Sequence, residues 1–188
     1  MNTKPSSVCI LGAGPIRIGQ ACEVDYSGVQ GGRALRAEGW RVILVNSNPA
    51  TVMTDARLAH RSYVEPLPAK TVTAVLEKER PDALIPTLGG QSALNLAIML
   101  DVTGVLERLG IRLLGASTRS IRLAEDREEF RLAMEEAGLP VLPAATVTSV
   151  EDGLAALDLV GLPAILRPSF TLGGWGGGIA HDRESFER

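Results

Sequence analysis

Val8-Cys9-Ile10-Leu11-Gly12-Ala13-Gly14 decides the fold class: four apolar residues in succession, too few for a helix, run into two glycines one residue apart. A strand-length run that ends on a glycine turn is how an α/β layer hands a strand over to a helix. The pattern repeats downstream. Arg41 to Val45 and Ala83 to Ile85 read as strands, with a shorter one near Arg112 to Leu114. Helix-periodic segments lie between them, around Val29 to Glu38, Ala69 to Arg80 and Gln91 to Leu100; in the last, Leu94, Ala97 and Ile98 are expected to face the sheet. Such alternation predicts a doubly wound parallel sheet covered by helices on both faces, ending near residues 115 to 125.

A second unit is predicted beyond that point. Glu125-Asp126 opens a segment in which Phe130, Ala133, Met134 and Ala137 recur at helical spacing, and Gly138 with Pro140 stops it. Another helix is expected over Val150 to Leu159, a strand over Pro163 to Arg167, a loop over Gly173 to Gly178, and a returning strand from Ile179-Ala180. A helix starts after Asp182 and the sequence stops two turns later. One strand, a glycine-rich hairpin and a helix fragment do not close a core, so a piece of a longer protein is expected.

The 188 residues carry 19 basic and 22 acidic side chains, a balance that gives no bulk electrostatic case for nucleic acid or an anionic membrane. Any phosphate handling is therefore local. The only cysteines are Cys9, inside a strand, and Cys22, so neither a disulfide framework nor a zinc site is expected. Gly12, Gly14 and Pro15 break the first apolar run before it reaches signal-peptide length, and no run approaches the ~20 residues of a membrane span. A soluble protein of a reducing cytoplasm fits these features.

Two glycine loops compete for the functional role. Gly12-Ala13-Gly14 stands where a dinucleotide fingerprint would begin, but Arg17 occupies the third glycine position. At the end of the second strand Asn46 replaces the acidic residue that would hold ribose hydroxyls. An NAD(P)-binding oxidoreductase is thus the alternative reading, and Gly12 and Gly14, like Gly89-Gly90, are read first as turn residues. The stretch Arg167-Pro168-Ser169-Phe170-Thr171-Leu172-Gly173-Gly174-Trp175-Gly176-Gly177-Gly178 says more. Five glycines in six positions cannot build a core, but they let backbone N–H groups approach a triphosphate closely. No Gly-Lys-Ser or Gly-Lys-Thr follows, so the loop is a flap rather than a Walker loop.

Arg167, at the end of a strand and the start of that loop, is placed to bind phosphate oxygens through its guanidinium fork. Arg127 stands in the first turn of a helix, where a cation opposes the dipole; it is either paired with a neighbouring glutamate or functional. His60 and His181 lack partners at any catalytic spacing and read as surface or satisfied histidines; Glu128-Glu129 read as a solvated helix face.

Gly12-Ala-Gly-Pro-Ile-Arg-Ile-Gly-Gln-Ala-Cys-Glu-Val-Asp-Tyr-Ser-Gly28, Val42-Ile-Leu-Val-Asn-Ser-Asn-Pro-Ala-Thr-Val-Met-Thr-Asp55, Pro86-Thr-Leu-Gly-Gly-Gln91, Ala124-Glu-Asp-Arg127 and Arg167-Pro-Ser-Phe-Thr-Leu-Gly-Gly174 together resemble the carbamoyl-phosphate synthase large chain, in the same order through nearly the whole sequence. The resemblance implies a Rossmann-like pre-ATP-grasp domain over residues 1–122, without a dinucleotide, and the incomplete beginning of an ATP-grasp domain over 123–188. It implies an ATP-dependent carbon–nitrogen ligase that makes carbamoyl phosphate from bicarbonate, ammonia and two ATP, for arginine and pyrimidine synthesis.

Carried over by position, Arg127, Arg167, Gly173 and Gly174 match nucleotide-binding residues of the carboxyphosphate-forming half. The implied cofactors are ATP and Mg2+ or Mn2+, with metal ligands and adenine pocket downstream of Arg188, so no metal ligand and no catalytic residue is assigned here. The implied partner is a glutamine amidotransferase small chain or domain, and the full-length protein is expected to be an oligomer. The piece alone is expected to lack synthase activity. At Trp175 the family has a small hydroxyl residue, and an indole there should hinder closure of the flap. A folded, non-catalytic remnant of the synthase is the further alternative.

Overall fold

The computed structural model describes residues 6–15, 22–55, 57–168 and 176–187. The chain divides into two compact units, Met1–Ile121 and Arg122–Arg188.

In the first unit β1 (Ser7–Leu11), α1 (Cys22–Ala37) and β2 (Arg41–Asn46) are followed by a 3-10 turn (Val52–Thr54) and β3 (Arg61–Val64). Then come α2 (Ala69–Glu79), β4 (Ala83–Ile85), α3 (Gly90–Val102), α4 (Val105–Leu109) and β5 (Arg112–Leu113). The five strands form one parallel sheet in the order β3-β2-β1-β4-β5. Side chains alternate across a strand, and here both faces are covered. Cys9 and Leu11 of β1 pack with Ile43, Val45 and Leu84 against Val72 and Leu76 of α2 and Leu96 and Leu100 of α3. Val8 and Ile10 join Val42, Leu44 and Met53 on the opposite face, with Val29 and Leu35 of α1 against them. The continuous apolar strands of the sequence follow from this double burial.

The first helix starts at Cys22, seven residues before the expected Val29. Glu23 and Asp25 suit the positive end of the helix, but Gly28, Gly31 and Gly32 interrupt the apolar period. These glycines are contact points: a Cβ on Gly28 would strike the Met53 side chain, and one on Gly31 would lie 2.5 Å from Leu88 Cδ1. Strand β3 was not expected, because Arg61-Ser62-Tyr63-Val64 is a polar edge strand with no apolar run. Glu79, at the end of α2, fastens it by accepting from the Tyr63 hydroxyl and pairing with Arg41. In α3 the fully buried positions include Ala93, Ala97 and Leu100, whereas Leu94 and Ile98 are only half-buried. That helix is apolar around most of its circumference, so its period alone did not fix the sheet-facing side.

Helix α5 (Thr118–Glu125) contains the boundary between the units. The second unit holds α6 (Arg127–Glu136), α7 (Val150–Val160), β6 (Ala164–Leu166), β7 (Gly178–Ala180) and α8 (Arg183–Glu187). Asp126 caps α6, accepting from the backbone N–H of Glu128 and Glu129 at 3.0 Å each, and Ser149 caps α7 through Asp152 N–H at 3.1 Å. Strands β6 and β7 pair antiparallel with Ala164 opposite Ala180 and Leu166 opposite Gly178. Leu157, Ala164 and Ala180 are buried, while Phe130, on the expected apolar face of α6, stays 46% exposed. Among the described residues no helix is long and apolar enough to cross a membrane.

Candidate functional site

The sequence offered two loops for phosphate, and in the first Asn46 packs against Gly12 and Gly14. Gly14 takes φ +76°, open to glycine at little cost. Its N–H donates to Asn46 Oδ1 at 3.0 Å, and the same oxygen accepts from Asn48 N–H at 3.1 Å. Asn46 is fully buried, and a Cβ on Gly12 would stand 2.5 Å from its Cγ and Nδ2. Asn46 is therefore a strut beneath the β1 turn, with no freedom to reach a ribose, and the geometry argues against the oxidoreductase alternative. Gly89 belongs to the same packing: its N–H donates to Pro86 O at 3.1 Å, and a side chain there would strike Leu11 O. The turn reading of both glycine pairs holds.

The second loop springs from the β6–β7 hairpin. Its described stem consists of Arg167-Pro168 on one side and Gly176-Gly177 on the other. Gly176 has φ +71°, and a Cβ on it would lie 3.2 Å from Pro168 Cγ, so the stem is narrow at that point. Arg167 directly follows β6 and is exposed. Gly173, Gly174 and Trp175 lie outside the described residues.

Arg127 is the first residue of α6 and is exposed. The alternative of a pair with a neighbouring glutamate is not what the structure shows. Glu128 instead accepts from Arg131, at 2.6 Å from Nη2 and 3.3 Å from Nε, and from Thr146 Oγ1 at 3.3 Å. Arg131 Nη1 also reaches Glu135 at 2.6 Å. Hydrogen bonding from Arg131 holds the Glu128 carboxyl below the usual glutamate range and, reciprocally, raises the guanidinium of Arg131. Glu128 is thus an anchored group rather than part of a freely solvated face. Among the described residues neither Arg127 nor Arg167 has an ion pair, whereas Arg41, Arg57, Arg108, Arg131 and Arg183 all do.

His60 is a satisfied histidine, its Nδ1 accepting from Val42 N–H at 3.0 Å, whereas His181 is a surface one, exposed and with its backbone N–H donating to Ser185 Oγ at 3.0 Å. Among the described residues no three His, Cys, Asp or Glu side chains converge as metal ligands. Among its described residues the second unit supplies, in Arg127 and Arg167, guanidinium groups without an ion pair, a property Arg122 shares, and a glycine-edged stem, donors suited to phosphate oxygens.

The fold defines an α/β protein with a parallel five-stranded sheet in its first unit and a two-stranded antiparallel hairpin in its second. The chain resembles the biotin carboxylase domain of Hydrogenobacter thermophilus 2-oxoglutarate carboxylase, solved with MgADP, ADP and bicarbonate, at TM-score 0.73 and 21% identity over 99% of this chain and 40% of that one. It also resembles Staphylococcus aureus N5-carboxyaminoimidazole synthetase complexed with ADP, at TM-score 0.65 and 17% identity over 97% of this chain and 43% of that one. Residues 4–123 match the family described as the carbamoyl phosphate synthase preATP-grasp domain, and residues 126–188 match the carbamoyl-phosphate synthase L chain, ATP binding domain. The chain belongs to the carbamoyl-phosphate synthase large-chain family. It is 58% identical over 181 residues to the large chain of Xylella fastidiosa (strain Temecula1) and 56% identical over 185 residues to that of Pseudomonas aeruginosa, covering 96% and 98% of this chain. It spans 17% of the length of each of these relatives.

Proposed function

We propose that this chain supplies the N-terminal part of a carbamoyl-phosphate synthase large chain, with residues 1–122 as pre-ATP-grasp domain and 123–188 as the beginning of the ATP-grasp domain that forms carboxyphosphate. One observation carries the reading: Arg127 and Arg167, both exposed and without ion pairs among the described residues, belong to the unit that the ATP binding family matches. Exposed arginines held apart from carboxylates keep their charge for an anionic ligand, and a planar guanidinium binds phosphate oxygens in pairs.

In this reading the γ-phosphoryl group of ATP moves to a bicarbonate oxygen, giving carboxyphosphate and ADP. Ammonia then adds at the carboxyl carbon and phosphate leaves, giving carbamate, which a second ATP phosphorylates elsewhere in the large chain. Arg127 and Arg167 bind and orient the phosphates, and the backbone N–H groups of Gly173 and Gly174 close over them. Such a transfer depends on positioning and on neutralising charge spread over the phosphoryl oxygens. Mg2+ or Mn2+, when bound, adds to that neutralisation, through ligands outside these 188 residues. The ammonia comes from a glutamine amidotransferase chain or domain, the enzyme is cytoplasmic and oligomeric, and its product serves arginine and pyrimidine synthesis.

The test is titration with MgATP of bicarbonate-dependent ADP release by the Pseudomonas aeruginosa large chain carrying this chain in place of its matching segment, with Arg127→Gln and Arg167→Gln in parallel. A half-saturating MgATP concentration that each substitution raises at least about tenfold supports the reading, the loss expected for a charge-assisted contact of ~1.5–3 kcal/mol. A half-saturating concentration that both variants keep unchanged overturns the assignment of these arginines.

A further inference from the structure

Resting on the nucleotide reading of Arg127, we propose that Arg131 is a positioning residue for that site: it keeps the Glu128 carboxylate away from Arg127 so that the guanidinium of Arg127 stays open to phosphate.

Within α6 the positions three and four residues after Arg127 hold Phe130 and Arg131, so no carboxylate stands at helical ion-pair spacing from it. Asp126 is occupied as the helix cap, both of its backbone contacts accepted by Oδ1. The anion left nearest in sequence is Glu128. Its Cβ diverges from that of Arg127 around the helix, so only a reoriented side chain would reach across. Arg131 prevents that reorientation by gripping both oxygens, Oε1 from Nη2 at 2.6 Å and Oε2 from Nε at 3.3 Å, and Thr146 Oγ1 adds a third bond at 3.3 Å.

Arg131 is itself held from the other side by Glu135 at 2.6 Å, and its side chain is only 25% exposed. It lies four residues from Arg127, where two bare cations on one face would repel; its two carboxylates cancel that repulsion. The cluster therefore separates two arginines of one helix into a neutralised one and an available one.

The experiment measures the half-saturating MgATP concentration for bicarbonate-dependent ADP release, alongside the thermal unfolding midpoint, in the Pseudomonas aeruginosa large chain carrying this chain in place of its matching segment, unaltered and as Arg131→Gln, Glu128→Gln, the double variant and Arg127→Gln. Arg131→Gln is expected to raise that concentration about two- to fivefold, the scale of an exposed ion pair competing for Arg127. Glu128→Gln breaks the same Arg131 pair but removes the competitor, so it should half-saturate at no higher concentration than the unaltered graft. Adding Glu128→Gln to Arg131→Gln should restore the unaltered value. A purely structural cluster would show the opposite pattern, with both single variants weakened and no rescue in the double, and that result overturns the proposal. An unchanged value in Arg131→Gln overturns it as well. If Arg127→Gln behaves as the unaltered graft does, or the unaltered graft shows no bicarbonate-dependent release, the nucleotide reading itself has failed, and the positioning role falls with it.

Discussion

Gly12→Ala should destabilise the first unit more than any change confined to an open turn, and the structure sets the size. The new Cβ would lie 2.5 Å from Asn46 Cγ and Nδ2, whereas unstrained carbon contacts sit at roughly 3.5–4.0 Å. About 1 Å of movement is needed. Asn46 is fully buried at the C-terminal end of β2, and its Oδ1 holds the N–H groups of Gly14 and Asn48. If the amide swings away, each deserted N–H costs about 1–3 kcal/mol; if the strand yields instead, overpacking costs about 1–3 kcal/mol. The first route costs about 2–6 kcal/mol for the two N–H groups and the second about 1–3 kcal/mol, so the cheaper one sets an expected loss of about 1–3 kcal/mol.

Gly39→Ala is the control, since Gly39 has φ +81° but nothing within 4 Å of an added Cβ; it should cost about 1 kcal/mol from backbone strain alone. Urea unfolding, followed by amide hydrogen exchange in β1 and β2, separates the two. In an Asn46→Gly background the added methyl finds room, because Asn46 Cβ, 2.8 Å from it, leaves together with the amide, so the double variant should lose at least about 1 kcal/mol less than the sum of the singles. Gly12→Ala no worse than Gly39→Ala would refute the strut.

Three further outcomes are expected. Gly153→Ala places a methyl 2.6 Å from Phe186 Cζ, so it should destabilise the second unit in the unaltered chain. With Phe186→Ala already present it should instead stabilise α7, by up to about 1 kcal/mol, since alanine is the better helix former; differential hydrogen exchange of α7 reads the change of sign. The Glu79 carboxyl is lowered chiefly by the Tyr63 hydroxyl and further by Arg41, so it adds stability above the ordinary glutamate range, and that contribution disappears as pH falls through this range. The stability difference between the unaltered chain and Glu79→Gln should therefore shrink on acidification, and a gap independent of pH would contradict this. Burial pushes the Cys9 thiol up to about 12, so peptide mapping after alkylation near neutral pH should find Cys9 modified only in unfolding concentrations of urea.

The strands that are buried on both faces were legible as apolar runs, because Val8 to Leu11 and Val42 to Val45 have no polar side to show. Strand β3 was not, because an edge strand of Arg61, Ser62, Tyr63 and Val64 depends on Glu79 and Arg41, distant in sequence. The start of α1 was hidden for a related reason: Gly28 and Gly31 break the apolar period to make room for Met53 and Leu88. At the candidate site, the position of Arg127 in the first turn of a helix was readable, but its lack of an ion pair was not, since that depends on Arg131 and Thr146 capturing Glu128. Asn46 shows the limit of motif reading. The sequence showed only that it is not acidic; the fold shows that it fills the place under the glycine turn.

If Arg127 and Arg167 bind phosphate in a carboxyphosphate-forming site, as proposed, this chain can stand in for the same segment of a relative. The most direct measurement grafts it in place of the matching segment of the Pseudomonas aeruginosa large chain and follows bicarbonate-dependent ADP release from ATP. Activity is expected in the graft and its loss in Arg127→Gln and Arg167→Gln, with the fold retained by circular dichroism. A folded graft with no bicarbonate-dependent turnover would contradict it and leave a chain that keeps the family's fold without its chemistry.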